Sequence, residues 1–542
     1  MAIEDDVVDV VVVGSGGAGM TAALAAAHSG LTAVVVEKAA VYGGSTARSG
    51  GGLWIPGNEV LGGSADDGTY LAHVAGAEVP LARRQAFLAH GPAMLAFVRR
   101  HTPLDFAWVP GYPDYHPEAP GGLARGRSIE PKPLDTRLIG EDLETLAAPY
   151  RAAPDGMAIT AVDYRWLSLG FRNPRSAVTA VRLGLSAALD RARKRRRLTM
   201  GQALAAGLRA GLRSAGVPVL LDTALTGLVD DGDRVAGIRC GERVIRARGG
   251  VLLASGGFEH NERMRQRYQR IGTEWTVGAT GNTGDGIEAG HHLGAALDLM
   301  DEAWWGPSLP LTGGPYFCLA ERNLPGSLIV DGTGARFVNE AAPYVDAVHA
   351  MLGRDGSGPH LPAWLVTDQS YRDRYLFAGR APRAPLPRRW FDAGVAHRAG
   401  TLAELAARID VPPAALQDTV DRFNGFAAAG TDDDFHRGAS AYDRYYGDPR
   451  QRPNPCLGPL SKPPFYAFSL VPGDLGTKGG LRTDEHARVL RPDGSAITGL
   501  YAAGNASASV MGRGYAGAGA TLGPAMTFGY LAALSMAATP AC

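Results

Sequence analysis

The sequence predicts an α/β fold in which a domain with a parallel sheet is built from both ends of the chain, with an α+β domain inserted between them. Residues 7–38 read as strand, glycine turn, helix and strand (VVDVVVVGSG, GAGMTAALAAAHSG, LTAVVVEK), which is typical of a βαβ unit. From about Gly473 onward the pattern of strand, glycine-rich loop and apolar helix returns, whereas the middle of the chain has proline-rich loops such as APRAPLPRRW. We therefore place the first domain at residues 1–304 and 477–542, and the inserted domain at residues 305–476.

The remaining elements follow from local patterns. The segments GVPVLLDTALTGLVDDGDRVAGIRC and VIRARGGVLLASGG have strand-like composition with Asp-Gly turns, so we expect them to return the chain to the first sheet. In the inserted domain, TLAELAARI has helical periodicity. The run from Ala525 to Ala538 is apolar but short for a membrane span of about 20 residues, and it contains Thr527 and Ser535. It is predicted to be a buried helix.

Composition limits the kind of partner. The chain has 542 residues, enough for more than one hydrophobic core. Its 54 basic and 54 acidic residues cancel, so no global field gathers nucleic acid. The partner is expected to be a small molecule, with at most peripheral association with a membrane.

The cysteines and the chain start indicate the compartment. Cys240, Cys318, Cys456 and Cys542 form no CxxC pair and no zinc-like spacing with histidine. The chain begins with MAIEDDVV, which has two aspartates where an export signal needs positive charge. The sequence therefore predicts no metal site and a cytoplasmic location.

A dinucleotide motif follows the first strand. Gly14, Gly16 and Gly19 form GxGxxG at the start of a helix, and Glu37 ends the next strand. In such a motif the glycines allow a tight turn, close approach to a pyrophosphate and close helix packing, and the helix N-terminus faces the anion. Glu37 can accept hydrogen bonds from a ribose.

Further glycine-rich loops favour FAD over NAD. The loop GGSTARSGGG, residues 43–52, comes six residues after Glu37, and ASGGF and GLYAAGN follow later strands. A flavin extends past the first turn and needs bare backbone on several sides, whereas a nicotinamide dinucleotide does not. The residues predicted to contact FAD are Gly14, Ser15, Gly16, Gly17, Ala18, Gly19, Glu37, Lys38, Gly43, Gly44, Ser45, Thr46, Ser49, Gly50, Gly51, Gly52, Ala254, Gly256, Gly257, Gly504, Asn505, Gly519, Thr521 and Leu522.

Taken together, the blocks GSGGAGMTAAL, GGSTARSGGGLWIPGN, WVPGYPDYHPEAPGG, NEAAPY, VPGDLGTKGGLRTD and GPAMTFGYLAAL closely resemble the 3-ketosteroid Δ1-dehydrogenases. These belong to the group of flavoproteins that includes fumarate reductase and succinate dehydrogenase. The resemblance runs nearly end to end. It implies a discontinuous, Rossmann-like FAD-binding domain, a catalytic cap domain that closes a steroid over the flavin, and a role in steroid degradation.

The resemblance also implies the catalytic residues. The family places a tyrosine and a glycine four residues later at the steroid C3 carbonyl, which correspond to Tyr515 and Gly519. Its base tyrosine corresponds to Tyr344, and its helper tyrosine to Tyr115, although Tyr112 is near enough to leave that choice open. The loop GYAGAG has Ala516 and Ala518 where the family has prolines, so we expect a looser loop.

These residue types suit 1,2-desaturation of a 3-ketosteroid. The C2 proton is acidic because the C3 carbonyl can take up the charge, so a phenol and an amide N–H at that oxygen would each supply about 3 kcal/mol of transition-state stabilisation. A tyrosine has a pKa of about 10, so Tyr344 must ionise transiently or pass its proton through Tyr115. Hydride would leave C1 for flavin N5, and the helix that opens at Gly523 and Pro524 would face the flavin. Trp304, Trp305, Phe317 and Met351 are candidates for the steroid pocket.

Alternatives stay open at this point. A 3-keto-5α-steroid 4-dehydrogenase would keep the carbonyl clamp and move the base. A fumarate-reductase-like flavoprotein acting on another enone is disfavoured as a dicarboxylate reductase, because Tyr344 stands where such enzymes have an arginine after the Asn-Glu pair. A flavin-binding redox sensor or scaffold without turnover would not need the three tyrosines.

Three further features complete the expectations. Ser45 and Thr46 occupy the stretch where succinate dehydrogenases have a histidine linked to FAD, so FAD is expected to be noncovalent. The lack of a nicotinamide motif suggests a quinone or similar electron acceptor. The basic run RARKRRR, residues 191–197, could attract an anionic membrane surface, but a solvated helix face or loop is favoured.

Overall fold

The structure is a computed structural model that describes residues 7–63, 66, 68–170 and 172–538. The chain start MAIEDD and Cys542, which the sequence analysis used, lie outside the described residues. At the centre of the first sheet, Val7–Val13 lies parallel between Ala33–Val36 and Arg243–Leu253. The strand Ala496–Ala502, from the last fifth of the chain, pairs in parallel with Arg243–Leu253. Both ends of the chain thus contribute to one parallel sheet, which confirms the predicted α/β fold.

The central strands form because their sequences suit burial on both faces. Val7–Val13 reads VVDVVVV and Ala33–Val36 reads AVVV, and β-branched residues favour pleated, buried strands. Val219–Leu220 extends the sheet in parallel, and antiparallel strands complete it. These antiparallel strands are Gly227–Asp230, Val235–Cys240 and Arg488–Leu490.

Two helices pack closely against each other beside this sheet. Gly17–His28 follows the first strand, and Leu522–Ala538 ends the described chain. A Cβ at Gly529 would lie 2.3 Å from the carbonyl oxygen of Ala18, so glycine is required for this approach. Most residues of Leu522–Ala538 are buried, as predicted. Within the described ranges, none of the helices combines the length and apolarity that crossing a membrane requires.

The middle of the chain forms a separate antiparallel sheet. Its strands lie in the order Tyr316–Phe317, Ala303–Leu309, Phe465–Thr477, Ala363–Asp368 and Ser327–Asp331, and Ala396–Ala399 also pairs with Phe465–Thr477. This confirms an inserted α+β region. The predicted boundaries at 304/305 and 476/477 fall near the ends of two of these paired strands, and the boundaries themselves stay a prediction.

The other elements connect and cover the two sheets. The remaining helices are Gly44–Arg48, Thr69–Ala75, Leu81–His101, Ala161–Ser168, Pro174–Ala192, Met200–Ser214, Glu262–Tyr268, Asp285–His292, Tyr344–Met351, Gln369–Arg374, Arg388–Asp392, Leu402–Arg408, Pro413–Ala429 and Ala441–Tyr445. Short 3-10 helices are Glu59–Leu61, Thr136–Leu138, Gly140–Leu143, Pro154–Gly156 and Gly504–Ala506. A three-stranded sheet contains Leu53–Trp54, Ser128–Pro131 and Phe106–Trp108. Two-stranded sheets pair Leu134–Asp135 with Arg197–Leu198, and Leu297–Asp298 with Gly480–Leu481.

Candidate active site

The predicted cofactor residues follow the ends of neighbouring parallel strands. The glycine motif begins directly after Val13, Glu37 after Val36, and Ala254 after Leu253. Gly504 and Asn505 come just after Ala496–Ala502. Because the carboxyl ends of parallel strands lie at one edge of a sheet, where open α/β sheets bind ligands, these segments meet at one place.

The first glycine loop is too crowded for side chains. Gly14 has φ +106°, and a Cβ there would lie 2.4 Å from the carbonyl oxygen of Ala254. A Cβ at Gly19 would lie 2.0 Å from the carbonyl oxygen of Gly14. The turn therefore brings the helix N-terminus at Gly17 directly against the edge of the sheet.

The first two glycine loops form one continuous surface. Ser15 Oγ accepts a hydrogen bond from the Gly43 N–H at 3.0 Å and donates one to Glu37 Oε2 at 2.6 Å. Thr46 Oγ1 accepts from the Gly17 N–H at 2.9 Å. Glu37, the residue expected at a ribose, thus lies beside the glycine motif.

Along this surface, several glycines face open space. A Cβ built at Gly44 or Gly50 would have no protein atom within 4 Å, and at Gly504 the nearest atom would be 3.4 Å away. By contrast, Gly51 and Gly519 face neighbouring backbone: a Cβ would lie 2.4 Å from the carbonyl carbon of Met200 and 2.5 Å from that of Gly52, respectively. The second loop therefore offers room for an extended ligand on one side and contacts the third loop, residues 512–521, on the other.

Other residues predicted to contact the cofactor form hydrogen bonds or close contacts with the protein itself. Lys38 Nζ binds Thr283 Oγ1 and Asp285 Oδ2, each at 2.6 Å. Ser45 Oγ accepts hydrogen bonds from the Ala279 N–H and Asn282 Nδ2, each at 3.0 Å. Ser49, Gly256 and Gly257 likewise pack against the chain: Ser49 Oγ bonds to the Thr46 carbonyl, and a Cβ at Gly256 or Gly257 would clash with Asn282 or Thr477. The roles of these residues toward FAD stay a prediction.

Three buried phenols meet next to these loops. The ring centroids of Tyr115, Tyr344 and Tyr515 form a triangle with sides of 5.1, 5.3 and 5.5 Å. Each residue is at most 4% exposed. Tyr115 lies in an irregular segment, Tyr344 begins the helix Tyr344–Met351, and Tyr515 lies in the loop before the last helix. The fold thus brings together the three tyrosines that the sequence singled out.

The hydroxyl groups of this tyrosine cluster have different hydrogen-bond roles. Tyr115 Oη donates to Tyr344 Oη at 3.0 Å, and Tyr515 Oη lies 3.1 Å from Thr521 Oγ1. Burial raises the pKa of Tyr115 and of Tyr344 well above 10, and it also raises that of Tyr515. The hydrogen bond from Tyr115 acts in the opposite direction on the pKa of Tyr344. In the resting protein all three are therefore neutral phenols.

Aromatic side chains surround the cluster. The ring of Trp304 lies 4.8 Å from that of Tyr515, and the ring of Phe317 lies 5.1 Å from that of Tyr344. Trp305 instead donates its Nε1–H to Glu302 and lies beneath the guanidinium of Arg354. Of the aromatic candidates for the pocket, Trp304 and Phe317 thus contact the tyrosines.

The geometry favours Tyr115 over Tyr112 as the helper. Tyr112 stacks on Tyr445 with a centroid distance of 4.4 Å, and its hydroxyl accepts a bond from Tyr446 Oη at 3.4 Å. Tyr115 is the one whose hydroxyl contacts Tyr344. Tyr112 therefore forms part of the wall behind the cluster.

Sequence reasoning did not find Tyr70, which joins the two segments that carry the candidate residues Tyr115 and Tyr515. Tyr70 Oη donates to the Ala516 carbonyl at 2.7 Å and accepts from the His116 N–H at 3.1 Å. The Tyr115 N–H also donates to the Ala516 carbonyl, at 3.0 Å. Although residue 516 lacks the family's proline, its carbonyl is thus held from two sides. No local signal marks Tyr70, because its partners are distant in sequence.

The buried carboxylate of Glu302 joins the segments that carry Tyr344 and Tyr515. Like Tyr70, it has no local sequence signature. The Glu302 carboxylate, 0% exposed, accepts hydrogen bonds from His349 Nε2 at 3.0 Å and from Arg513 Nη1 at 2.8 Å. His349 lies on the helix that begins with Tyr344, and Arg513 lies two residues before Tyr515. Arg354 also binds Glu302. These bonds lower the pKa of Glu302 to about 2 despite its burial.

Lys478 supports the same loop. Its Nζ donates to the carbonyl oxygens of Arg513 at 3.1 Å and Gly514 at 2.8 Å, and lies 4.6 Å from the centroid of Trp304. Burial lowers its pKa to about 8. Among the described residues, no cluster of His, Cys, Asp and Glu could hold a metal ion.

Comparison with known proteins identifies the family of this chain. Residues 9–522 match the family described as the FAD binding domain. The 3-oxosteroid 1-dehydrogenase of Mycolicibacterium smegmatis is 55% identical over 98% of this chain and 98% of its own length, and that of Mycobacterium tuberculosis is 56% identical over 98% of both. The crystal structure of 3-ketosteroid Δ1-dehydrogenase from Sterolibacterium denitrificans in complex with 1,4-androstadiene-3,17-dione is 40% identical, with a TM-score of 0.93 over 98% of this chain and 100% of that chain. The predicted resemblance is therefore confirmed, and the chain belongs to the FAD binding domain family and, within it, to the 3-oxosteroid 1-dehydrogenases.

Proposed function

We propose that this protein catalyses the FAD-dependent 1,2-desaturation of 3-ketosteroids. The observation that carries the proposal is the tyrosine cluster. Three phenol rings from distant segments lie beside the glycine loops, with ring centroids at most 5.5 Å apart. Such a cluster can bind a ketone oxygen and accept a proton from the adjacent carbon. The relatives named above are 3-oxosteroid 1-dehydrogenases.

The glycine surface fits FAD. The loops at Gly14–Gly19 and Gly43–Gly52 offer backbone N–H groups and open space at Gly44 and Gly50, and the helix N-terminus at Gly17 favours a pyrophosphate. Glu37 can bind the ribose. When bound, the flavin supplies the acceptor for the hydride that leaves C1. Ser45 and Thr46 take the place of a linking histidine, which supports noncovalent binding.

Tyr515 and Gly519 are proposed to bind the steroid C3 carbonyl. The Tyr515 hydroxyl is neutral and can donate, and the backbone N–H of Gly519 is the second donor. Two donors at one oxygen would stabilise the enolate character that develops as the C2 proton leaves, at about 3 kcal/mol each. The contact between Gly519 and Gly52 fixes the position of that N–H.

Tyr344 is proposed to take the proton from C2. It accepts the hydrogen bond from Tyr115, so a negative charge on its oxygen is stabilised by a donor that is already in place. Because Tyr344 is neutral at rest, its own hydroxyl proton must leave as the C2 proton arrives. That proton can pass to Tyr115 once the Tyr115 hydroxyl turns so that it accepts the hydrogen bond instead of donating it. Trp304 and Phe317 give this site apolar walls, which suit a steroid ring and exclude water.

The test is turnover of androst-4-ene-3,17-dione by the purified, FAD-loaded protein with an artificial electron acceptor. The expected product is the 1,4-diene, identified by its dienone absorbance and by chromatography. Tyr344→Phe should retain FAD, seen in the visible spectrum, and lose at least about a hundredfold in kcat, since a general base contributes 10²–10⁴-fold.

Two results would contradict the proposal. Wild-type turnover by Tyr344→Phe would remove this residue from the mechanism. Failure of every 3-ketosteroid to reduce the bound flavin without oxygen would reject the reaction itself, whereas 4,5-desaturation of a saturated 5α-steroid would identify the alternative dehydrogenase.

The electron acceptor and the location are also proposals. A quinone or similar acceptor is consistent with the absence of a nicotinamide motif in the sequence. A cytoplasmic location agrees with the dispersed thiols: Cys240, Cys318 and Cys456 are free in the structure. Flavin reoxidation by a soluble quinone, measured by stopped flow, tests the first point.

A further inference from the structure

A small cavity adjoins three residues that the sequence predicts to contact FAD. Its lining includes Gly504, Asn505 and Thr521, together with the first turn of the helix Leu522–Ala538. Thr521 Oγ1 also lies 3.1 Å from Tyr515 Oη. The cavity is therefore next to the tyrosine cluster, where the flavin ring has to lie for the proposed hydride transfer.

The wall formed by Trp304 indicates which half of FAD this cavity meets. Trp304 Nε1 donates to Asn505 Oδ1 at 3.1 Å, and the Trp304 ring lies 4.8 Å from that of Tyr515. Glu37, the residue expected at the ribose of the adenylate half, lies instead beside Ser15 in the glycine motif. The cavity therefore faces the flavin half of the cofactor.

Another wall of the cavity carries a buried positive charge. Arg83, 4% exposed, lies near the start of the helix Leu81–His101 and lines the cavity. Its Nη1 donates to the Ala508 carbonyl at 3.0 Å, and its guanidinium lies 4.9 Å from the centroid of the Phe528 ring. Its Nε is buried without a hydrogen-bond partner among the described residues. The guanidinium therefore has donors that the described chain leaves unused.

No nearby carboxylate balances this charge. Arg83 forms no ion pair with any described residue, and no described aspartate or glutamate lines the cavity. Asp298 and Asp484 attract it only from a distance, and burial lowers its pKa to about 10, so it is still a cation at neutral pH. Charged side chains are rarely buried unless they are paired. An anion is therefore the expected occupant of the cavity.

Two other features of the lining also favour negative charge. The N-terminus of the helix Leu522–Ala538 presents backbone N–H groups at the cavity. Lys478 lies in the lining as well, with its Nζ 4.6 Å from the centroid of Trp304, although the nearby Glu302 offsets its charge. Arg83 thus contributes the positive charge that no carboxylate offsets, and the helix adds to its effect.

The proposed reaction would create an anion at this place. The hydride that leaves C1 carries one proton and two electrons to the flavin ring, while the C2 proton goes to Tyr344. The ring thus gains one negative charge, which reduced flavins concentrate at N1 and the C2 carbonyl. The tyrosine cluster acts on the ketone and offers nothing to this second charge.

We propose that Arg83 stabilises the negative charge of the reduced flavin and thereby raises the reduction potential of the bound cofactor. The inference rests on the proposed flavin chemistry and assigns to this arginine a role in accepting the hydride. Its unused N–H donors and the N-terminus of the last helix would act together on the pyrimidine side of the ring.

The experiment measures the midpoint potential of the purified, FAD-loaded protein, reduced by xanthine and xanthine oxidase with a reference dye and without steroid. In Arg83→Met, the ratio of reduced to oxidised flavin at a fixed potential should fall at least about tenfold, which is about 30 mV for two electrons. A unit charge about 10 Å away at an effective dielectric constant of about 20 has an effect of this size. The visible spectrum gives the FAD content of each preparation.

Two further variants separate charge from shape. Arg83→Lys keeps the charge, so its ratio should stay within about threefold of the wild-type ratio. Arg84→Met is the matched control, because it removes the same charge from the next position of the helix, which does not line the cavity. Its potential should equal that of the wild type.

A measurement on the wild type keeps the test decisive if Arg83→Met does not retain FAD. The reduced wild-type protein should have the spectrum of the anionic reduced flavin at a pH at which free reduced flavin is protonated, because a neighbouring cation lowers the pKa of N1. The spectrum of the neutral reduced flavin under these conditions would reject the proposal.

Other results also overturn it. Equal potentials of the wild type and Arg83→Met, or an equal fall in Arg84→Met, would show that Arg83 has no specific effect on the flavin. An equal fall in Arg83→Lys would show that shape matters and charge does not. If the potentials are equal but inorganic phosphate raises the Tm of the wild type and not that of Arg83→Met, the cavity binds a free anion instead.

The readout is independent of steroid turnover. A lower potential in Arg83→Met together with no turnover of any 3-ketosteroid would support the role of Arg83 and reject the proposed reaction. Turnover of androst-4-ene-3,17-dione by the wild type with no change of potential in Arg83→Met would do the reverse.

Discussion

Removing the hydroxyl of Tyr70 tests whether this group supports the loop that carries Tyr515. In Tyr70→Phe the ring keeps its contacts with Trp54 and the Arg127 guanidinium, but the bonds to the Ala516 carbonyl and the His116 N–H are lost. The carbonyl still accepts from the Tyr115 N–H, whereas the His116 N–H loses its partner. The change therefore acts on the two segments that carry Tyr515 and Tyr115.

The size of the effect can be worked out. An unpaired N–H and a lost hydrogen bond together cost about 2 kcal/mol. At about 2.1 cal/mol/K per residue, the 542 residues have an unfolding entropy of about 1.1 kcal/mol/K, so Tm should fall by about 2 °C. Because Tyr515 and Tyr115 lose their common support, we expect kcat with androst-4-ene-3,17-dione to fall about tenfold.

Tyr42→Phe is the matched control for this measurement. The Tyr42 hydroxyl is buried and has no hydrogen-bond partner among the described residues, so its removal should leave Tm and kcat unchanged or raise Tm slightly. Differential scanning fluorimetry and steady-state kinetics on both variants give the comparison. If Tyr70→Phe matches Tyr42→Phe in both quantities, the Tyr70 hydroxyl does not support the loop.

Three further predictions concern the same region. Gly519→Ala should abolish turnover and reduce FAD content, because φ is +97° and a Cβ would meet the Gly52 backbone; Gly425→Ala, on an exposed helix with open space, should retain both. Burial lowers the Lys478 pKa from 10.5 to about 8, so part of the wild-type free energy of unfolding, up to about 3 kcal/mol, should depend on pH, and this part should be absent in Lys478→Met. Between pH 8 and pH 10.5 Lys478 binds a proton in the unfolded chain but not in the folded protein. The wild-type free energy of unfolding, measured by denaturant titration, should therefore rise across this pH range. An equal rise in Lys478→Met would contradict this prediction. Acid precipitation should release all flavin into the supernatant, and flavin retained on the chain would show a covalent link.

The sequence was sufficient for features that depend on neighbours in the chain. The glycine motif, the strand before it and the helix after it are consecutive, so their pattern predicts both the turn and the edge of the sheet where it lies. Tyr515 and Gly519 stand within one loop, and the family resemblance names them directly. Contacts such as that of Tyr70 with Ala516, 446 residues apart, leave no such pattern.

The helix Pro174–Ala192 shows a second limit. Val178, Val181, Leu185 and Leu189 have the spacing of one helix face, and a helix of a globular protein ordinarily buries its apolar face. The structure buries the opposite face, with Ser176 and Thr179. Periodicity therefore gives the helix and its faces, but the side that meets the core depends on the tertiary packing.

The proposed roles of the three phenols depend on the direction of their hydrogen bonds as well as on their burial. Burial raises the pKa of each, which suits Tyr515 as a donor but opposes Tyr344 as a base. The bond from Tyr115 opposes the effect of burial without cancelling it, because Tyr344 is the acceptor and its phenolate would keep a donor at 3.0 Å. Glu302 holds the segments of Tyr344 and Tyr515 through His349 and Arg513, so the asymmetry is maintained by contacts outside the cluster. In the proposed mechanism, transfer of the C2 proton to Tyr344 therefore becomes favourable only when a ketone bound at Tyr515 takes up the negative charge left on C2.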